Sequence, residues 1–138
     1  MAKKILIVDD SEAMMQYIIP ILESADLEVV GARSFVEGLE KFNKFSPDAV
    51  LADFFLGDNQ TGLQLITALH AARQDNPGGT SDGSGSKSPI SFAILTTGQL
   101  SEPDAKRASD VGAILIQKPV HGHSDEFLDR ILLWLKNS

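Results

Sequence analysis

Two aspartate positions, a threonine pair and a lysine in this chain carry chemistry that suits a phosphoryl group. Asp9-Asp10 ends the apolar run Ile5-Leu6-Ile7-Val8, and Asp53 ends Ala49-Val50-Leu51-Ala52. A third run, Ile90 to Thr97, closes on the hydroxyls Thr96 and Thr97 before Gly98. A fourth, Ala113 to Gln117, leads into Lys118-Pro119. Carboxylates held close together repel one another and need a cation. Oxygen-only ligands suit a hard ion such as Mg2+, which keeps several waters and is often completed by phosphate. A cation, a lysine and a hydroxyl together supply the charge neutralisation and oriented donors that a transferring phosphoryl group requires. A carboxylate facing the phosphorus can then act as nucleophile and form an aspartyl phosphate.

These residues act together only if the elements bearing them converge. Short, β-branched runs without polar alternation read as strands buried on both faces, as in a parallel sheet. A strand is also predicted at Glu28 to Ala32. Helices are predicted between the strands: about Glu12 to Ala25, capped by Ser11 or Asp10 and kinked or broken at Pro20; Ser34 through about Phe45; and one marked by Leu63, Leu65, Ile66 and Leu69. Two more follow at Glu102 to Val111, with Pro103 in its first turn, and at Ser124 to about Lys136. Five strands alternating with five helices imply an α/β domain with a mainly parallel sheet. In such sheets the active crevice lies beyond the carboxyl ends of the strands, where the acids, threonines and lysine sit.

The chain has 138 residues, which favours one domain spanning 1–138. Residues 75–89 stand apart: ten of the fifteen are Gly, Ser or Pro, and they read as a flexible loop inserted into that domain. The net charge of −7 argues against direct nucleic-acid binding, and the absence of cysteine excludes disulfides and thiolate metal sites. The start, Met1-Ala2-Lys3-Lys4 and four apolar residues, is too short for a signal peptide. No run approaches the roughly 18 apolar residues of a membrane span. A cytoplasmic location without membrane contact is expected.

The ordered set Ile5 to Ser11, Pro47-Asp48 leading to Asp53, Thr97-Gly98 and Gln117-Lys118-Pro119 resembles the receiver domain of two-component response regulators. The likeness extends from Lys4 to about Leu135. It implies a flavodoxin-like, doubly wound sheet of five parallel strands in the order 2-1-3-4-5, with helices on both faces. It also implies that Asp53 is the phosphoacceptor, taking its phosphoryl group from a histidine kinase or phosphotransfer protein. Asp10 would bind Mg2+, with Asp9 close by and the backbone carbonyl of Phe55 as a further ligand. Thr97 would bond a phosphoryl oxygen and move on phosphorylation, and Lys118 would neutralise another oxygen. The Lys118–Pro119 bond is expected to be cis, an isomer proline tolerates at roughly 0.5–1 kcal/mol.

The chain departs from the family pattern at three places. Leu115 stands where an aromatic residue usually completes the switch. The loop after Asp53 carries one extra residue before Gly62, and Gly57 stands where proline is common. The third departure is the 75–89 stretch. On the last helix, Phe127, Ile131 and Trp134 form one stripe and Leu128, Leu132 and Leu135 a neighbouring one. Together they are wide enough to be either a well-buried face or, in part, a homodimer or partner surface on the helix 4–strand 5–helix 5 side. His121-Gly122-His123 lacks further metal ligands at suitable spacing and reads as a loop. The leading function is a phosphorylation-controlled signalling switch rather than an enzyme acting on other substrates. The alternatives are a phosphorylation-independent interaction module, suggested by Leu115, and a Mg2+-dependent aspartyl-phosphate phosphohydrolase. Phe55 argues against the last, because an acid two residues after the nucleophile would be needed to activate water.

Overall fold

Each short apolar run forms a strand, and each intervening amphipathic segment a helix. A computed structural model describes residues 3–57, 59–75, 90–96, 100–118, 122 and 124–136. The elements are β1 (Lys4–Val8), α1 (Glu12–Glu23), β2 (Glu28–Ala32), α2 (Phe35–Phe45), β3 (Ala49–Asp53), α3 (Gly62–Asp75), β4 (Ser91–Thr96), α4 (Glu102–Asp110), β5 (Ala113–Gln117) and α5 (Ser124–Lys136). All strand pairs are parallel, and the order is β2-β1-β3-β4-β5. The expected flavodoxin-like topology is therefore the observed one.

Alternation along the strands divides the core into two layers. Ile5, Ile7, Leu51, Leu95 and Ile116 face α1 and α5, packing against Met15, Ile18, Leu22, Phe127, Ile131 and Trp134. Leu6, Val8, Val50, Ala52 and Ile94 face the other way, toward Leu65, Ile66 and Leu69 of α3 and Ala108 of α4. Both faces of β1 and β3 are covered, which explains why their sequences are continuously apolar. Each fully buried Leu or Ile here contributes roughly 1.5–3 kcal/mol of transfer free energy.

Capping follows the sequence. Ser11 caps α1, its Oγ accepting from the Met14 N–H, so the capping role falls to Ser11 and not to Asp10. Thr61 and Gln64 exchange hydrogen bonds at the start of α3, a capping box. Pro20 does not break α1: it lies inside the helix, on its exposed face. The helix ends at Glu23, two residues before the predicted end, where Ser24 Oγ donates to the Ile21 carbonyl.

β5 is an edge strand, and its neighbourhood is less covered. Ile114 and Leu115 are exposed, and with Leu133 and Trp134 of α5 they line a groove of about 490 Å3. On α5 the stripe of Phe127, Ile131 and Trp134 is buried together with Leu135, whereas Leu132 and Leu133 remain exposed. The wide apolar face of this helix is thus partly core and partly surface. Among the described residues no helix is long and apolar enough to cross a membrane. The Gly/Ser-rich stretch, from residue 76 onward, lies outside the described residues.

Candidate metal and phosphoacceptor site

Parallel strands bring all their carboxyl ends to one edge, and the register fixes which side chains meet there. Val8 pairs with Ala52, Asp53 with Leu95, Leu95 with Ile116, and Thr96 with Gln117. Asp9 lies two residues beyond Ile7, Asp53 two beyond Leu51, and Lys118 two beyond Ile116. Period-two alternation therefore carries the α1/α5 face of the sheet outward into one polar cluster. Thr96 follows the alternation of Ile94 instead and is buried.

Carboxylate oxygens of Asp9, Asp10 and Asp53 lie within 4.8 Å of one another. Lys118 Nζ is 2.8 Å from Asp53 Oδ1. Asp9 is 0% exposed and Asp53 is buried, while Asp10 is open to solvent. The Ser11 N–H donates to Asp9 Oδ1 at 2.9 Å, but Asp9 Oδ2 is buried with no hydrogen-bond partner. Buried polar oxygens are rarely left in this state. Burial raises the Asp9 pKa from 3.8 to about 6; the Ser11 N–H opposes the rise, the Asp53 and Asp10 charges add to it, and Lys118 offsets part of it. One lysine does not balance three carboxylates. The clustered oxygens, one of them buried and unpaired, fit a hard divalent cation held through oxygen. Among the described residues, no nitrogen or sulfur ligand belongs to this cluster, which disfavours zinc.

The loop after Asp53 folds back on itself. Phe55 and Thr61 form an antiparallel bridge; the Leu56 N–H donates to Gln60 O and the Gln60 N–H to Gly57 O, making a small hairpin. Gly57 and Asn59 sit at φ +78° and +62°. Proline, fixed near φ −65°, does not fit the Gly57 position. Beyond the hairpin, the Gly62 N–H donates to Phe54 O, and a Cβ on Gly62 would collide with the Asp53 carbonyl. This close packing went unread in the sequence, although a glycine opening a helix after an acid was its visible sign. The Phe55 ring is 68% exposed beside the crevice and stands edge-on to Phe54.

Asp9, Asp10, Asp53 and Lys118 are thus brought together as expected. Leu115 is not: it sits on the half-exposed flank of β5, and Ile116 supplies the strand's buried side chain. Thr97, Gly98, the Lys118–Pro119 bond, His121 and His123 lie outside the described residues.

A family model, that of the response regulator receiver domain, matches residues 5–131. Solved structures agree. A CheY-like response regulator receiver domain protein from Methanospirillum hungatei superposes with TM-score 0.75 at 28% identity, over 99% of this chain and 96% of that one. The chemotaxis response regulator CheY4 of Vibrio cholerae gives TM-score 0.73 at 24% identity, over 97% and 99%. A putative response regulator from Chloroflexus aurantiacus gives 0.71 at 25%, over 99% of both chains. No curated protein sequence matches.

Proposed function

The chain belongs to the response regulator receiver domain family, and from that membership we propose that it is a phosphorylation-controlled signalling switch with Asp53 as its phosphoacceptor. The observation that carries this reading is the Asp53 carboxylate itself, at the end of β3, paired with Lys118 and set against two further acids. In this reading residues 1–138 form one receiver domain.

The donor is a phosphohistidine on a histidine kinase or phosphotransfer protein. An Asp53 oxygen attacks the phosphorus, an O–P bond forms, the P–N bond breaks, and its electron pair returns to the imidazole. Asp9, Asp10, Asp53 and the Phe55 carbonyl would hold Mg2+. When bound, that ion supplies the charge neutralisation an acyl phosphate needs among carboxylates. Lys118 gives up its bond to the Asp53 carboxylate and turns to a phosphoryl oxygen, and Thr97 donates to another. Phosphorylation changes local charge and hydrogen bonding, which biases the fold between two states. Phe55 in place of an acid disfavours rapid hydrolysis. The exposed residues Ile114, Leu115 and Leu133 support a partner or homodimer contact on the α4–β5–α5 side.

Incubation with Mg2+ and acetyl phosphate, followed by intact mass measurement, tests the proposal. One phosphoryl group is expected on the wild type and none on Asp53→Asn. No mass gain, or a gain that survives the substitution, would overturn it.

A further inference from the structure

The hairpin after β3 touches the acidic cluster at one point. Among the described residues, a Cβ built on Gly57 finds one neighbour within 4 Å, the Asp10 Oδ2 at 3.2 Å. Gly57 also sits at φ +78°, where side chains other than glycine's are strained. From these two facts we infer that Gly57 is a positioning residue for Asp10: its missing side chain sets where the exposed carboxylate stands relative to Asp9 and Asp53, and so sets the affinity for the divalent cation.

The loop cannot simply swing away from an added methyl. Its backbone is held by Leu56 N–H to Gln60 O at 2.9 Å, Gln60 N–H to Gly57 O at 2.9 Å and Gly62 N–H to Phe54 O at 2.8 Å. Leu56, next to Gly57, is anchored in the core with 4% exposure. Asp10 is the softer partner: it lies on the surface, between a strand end and the Ser11 cap. An added methyl therefore displaces the carboxylate rather than the hairpin. Groups that hydrogen-bond to a metal ligand contribute about 10- to 100-fold in metal affinity, and a displacement by contact at 3.2 Å, a few tenths of an ångström, falls at or below the lower end of that range. Gly112 is an internal control, with φ +75° and nothing within 4 Å of a Cβ built on it.

The inference rests on the cation reading proposed above, and isothermal titration with Mg2+ alone separates the two. Wild type is expected to bind and Asp10→Asn to lose binding. Should wild type not bind, or Asp10→Asn bind equally, the cation reading itself fails and Gly57 with it. Given those two results, Gly57→Ala should bind Mg2+ several-fold more weakly, up to about 10-fold, while Gly112→Ala, carrying the same backbone strain, binds like wild type. Wild-type affinity in Gly57→Ala, or an equal loss in Gly112→Ala, overturns the inference. If Gly57→Ala does not fold by circular dichroism, Gly57→Asn replaces it, since asparagine tolerates the left-handed region while still carrying a Cβ. Wild-type affinity in that variant overturns the inference equally.

Discussion

Lys118 holds its ammonium 2.8 Å from the Asp53 carboxylate, joining the ends of β5 and β3 across the intervening β4. Both side chains extend the same face of the sheet, because each lies two residues beyond a core position, Ile116 and Leu51. The pair gives Asp53 one positive neighbour in a cluster where its other charged neighbours, Asp9 and Asp10, are negative. A cation arriving at the three acids would release the lysine for other work.

Lys118→Met should separate these two roles. Removing one partner of a mostly buried pair leaves Asp53 uncompensated, and a loss of about 1–3 kcal/mol is expected, less than for a fully buried pair because Lys118 is partly solvated. Saturating Mg2+ should restore most of that stability, measured by thermal melting. Labelling by acetyl phosphate should remain at least about tenfold slower, since the donor to the phosphoryl oxygen is still missing. Full recovery of labelling with Mg2+ would refute a direct role for Lys118.

Asp9 makes stability depend on pH in an uncommon direction. Its folded-state pKa is raised from 3.8 to about 6, mainly by burial. Below about pH 3 it is protonated in both states and contributes nothing. Between about 4 and 6 the unfolded chain loses the proton first, so stability falls as pH rises. Above about pH 7 the burden levels off at about 3 kcal/mol, taking 1.36 kcal/mol for each pH unit of the shift. Melts in chelator should show this decline, and Asp9→Asn should flatten it and raise the midpoint at neutral pH by several degrees. Mg2+ competes with the proton, so its stabilisation should grow from pH 5 to 7. A wild-type curve that rises across that window in chelator, with Asp9→Asn less stable at neutral pH, would refute the buried unpaired charge.

Much of this was legible in the residues. Ile5 to Val8 and Ala49 to Ala52 are apolar at every position, which only a strand covered on both sides requires, and each stops at an acid where the crevice begins. The edge position of β5 came from the resemblance, through the expected order 2-1-3-4-5, and not from the run itself. Ala113 to Gln117 reads as apolar as the others, yet Leu115 is 44% exposed on a strand that, among the described residues, pairs on one side only. Whether a strand is central depends on partners distant in sequence. The same applies to Asp9 Oδ2, whose burial comes from neighbouring strands, and to Gly57, whose neighbour Asp10 lies on another loop.

Adjacent residues on β5 should therefore differ sharply. Ile116 is 3% exposed and packs in the α1/α5 layer, so Ile116→Ala is expected to destabilise by about 2–4 kcal/mol. Leu115 is 44% exposed and lines the open groove, so Leu115→Ala should stay below about 1 kcal/mol. Urea unfolding of the two variants checks this. Equal losses would mean that Leu115 is covered in solution, as a homodimer through this face would require, and the loss would then depend on protein concentration.

Gly62 ties the helix after the hairpin to Asp53, the proposed phosphoacceptor. Its amide donates to Phe54 O at 2.8 Å, and an added Cβ would run into the Asp53 carbonyl, which is backbone in a central strand and cannot yield. Gly62→Ala must therefore push α3 outward or pull the end of β3 out of line. A loss of about 2 kcal/mol or more is expected in denaturant melts, with slower labelling of Asp53 because the acceptor moves with its own backbone. Gly38 gives the contrast. It is also buried, but its added Cβ would meet side chains, Leu65 Cδ2 at 3.0 Å and Val8 Cγ2 at 3.3 Å, rather than backbone. Alanine also favours the interior of α2 by roughly 1 kcal/mol over glycine. Gly38→Ala should therefore fall well short of the Gly62→Ala loss and leave labelling unchanged. If the two variants are equally destabilised and equally slow to label, the contact between Gly62 and Asp53 does not position the acceptor.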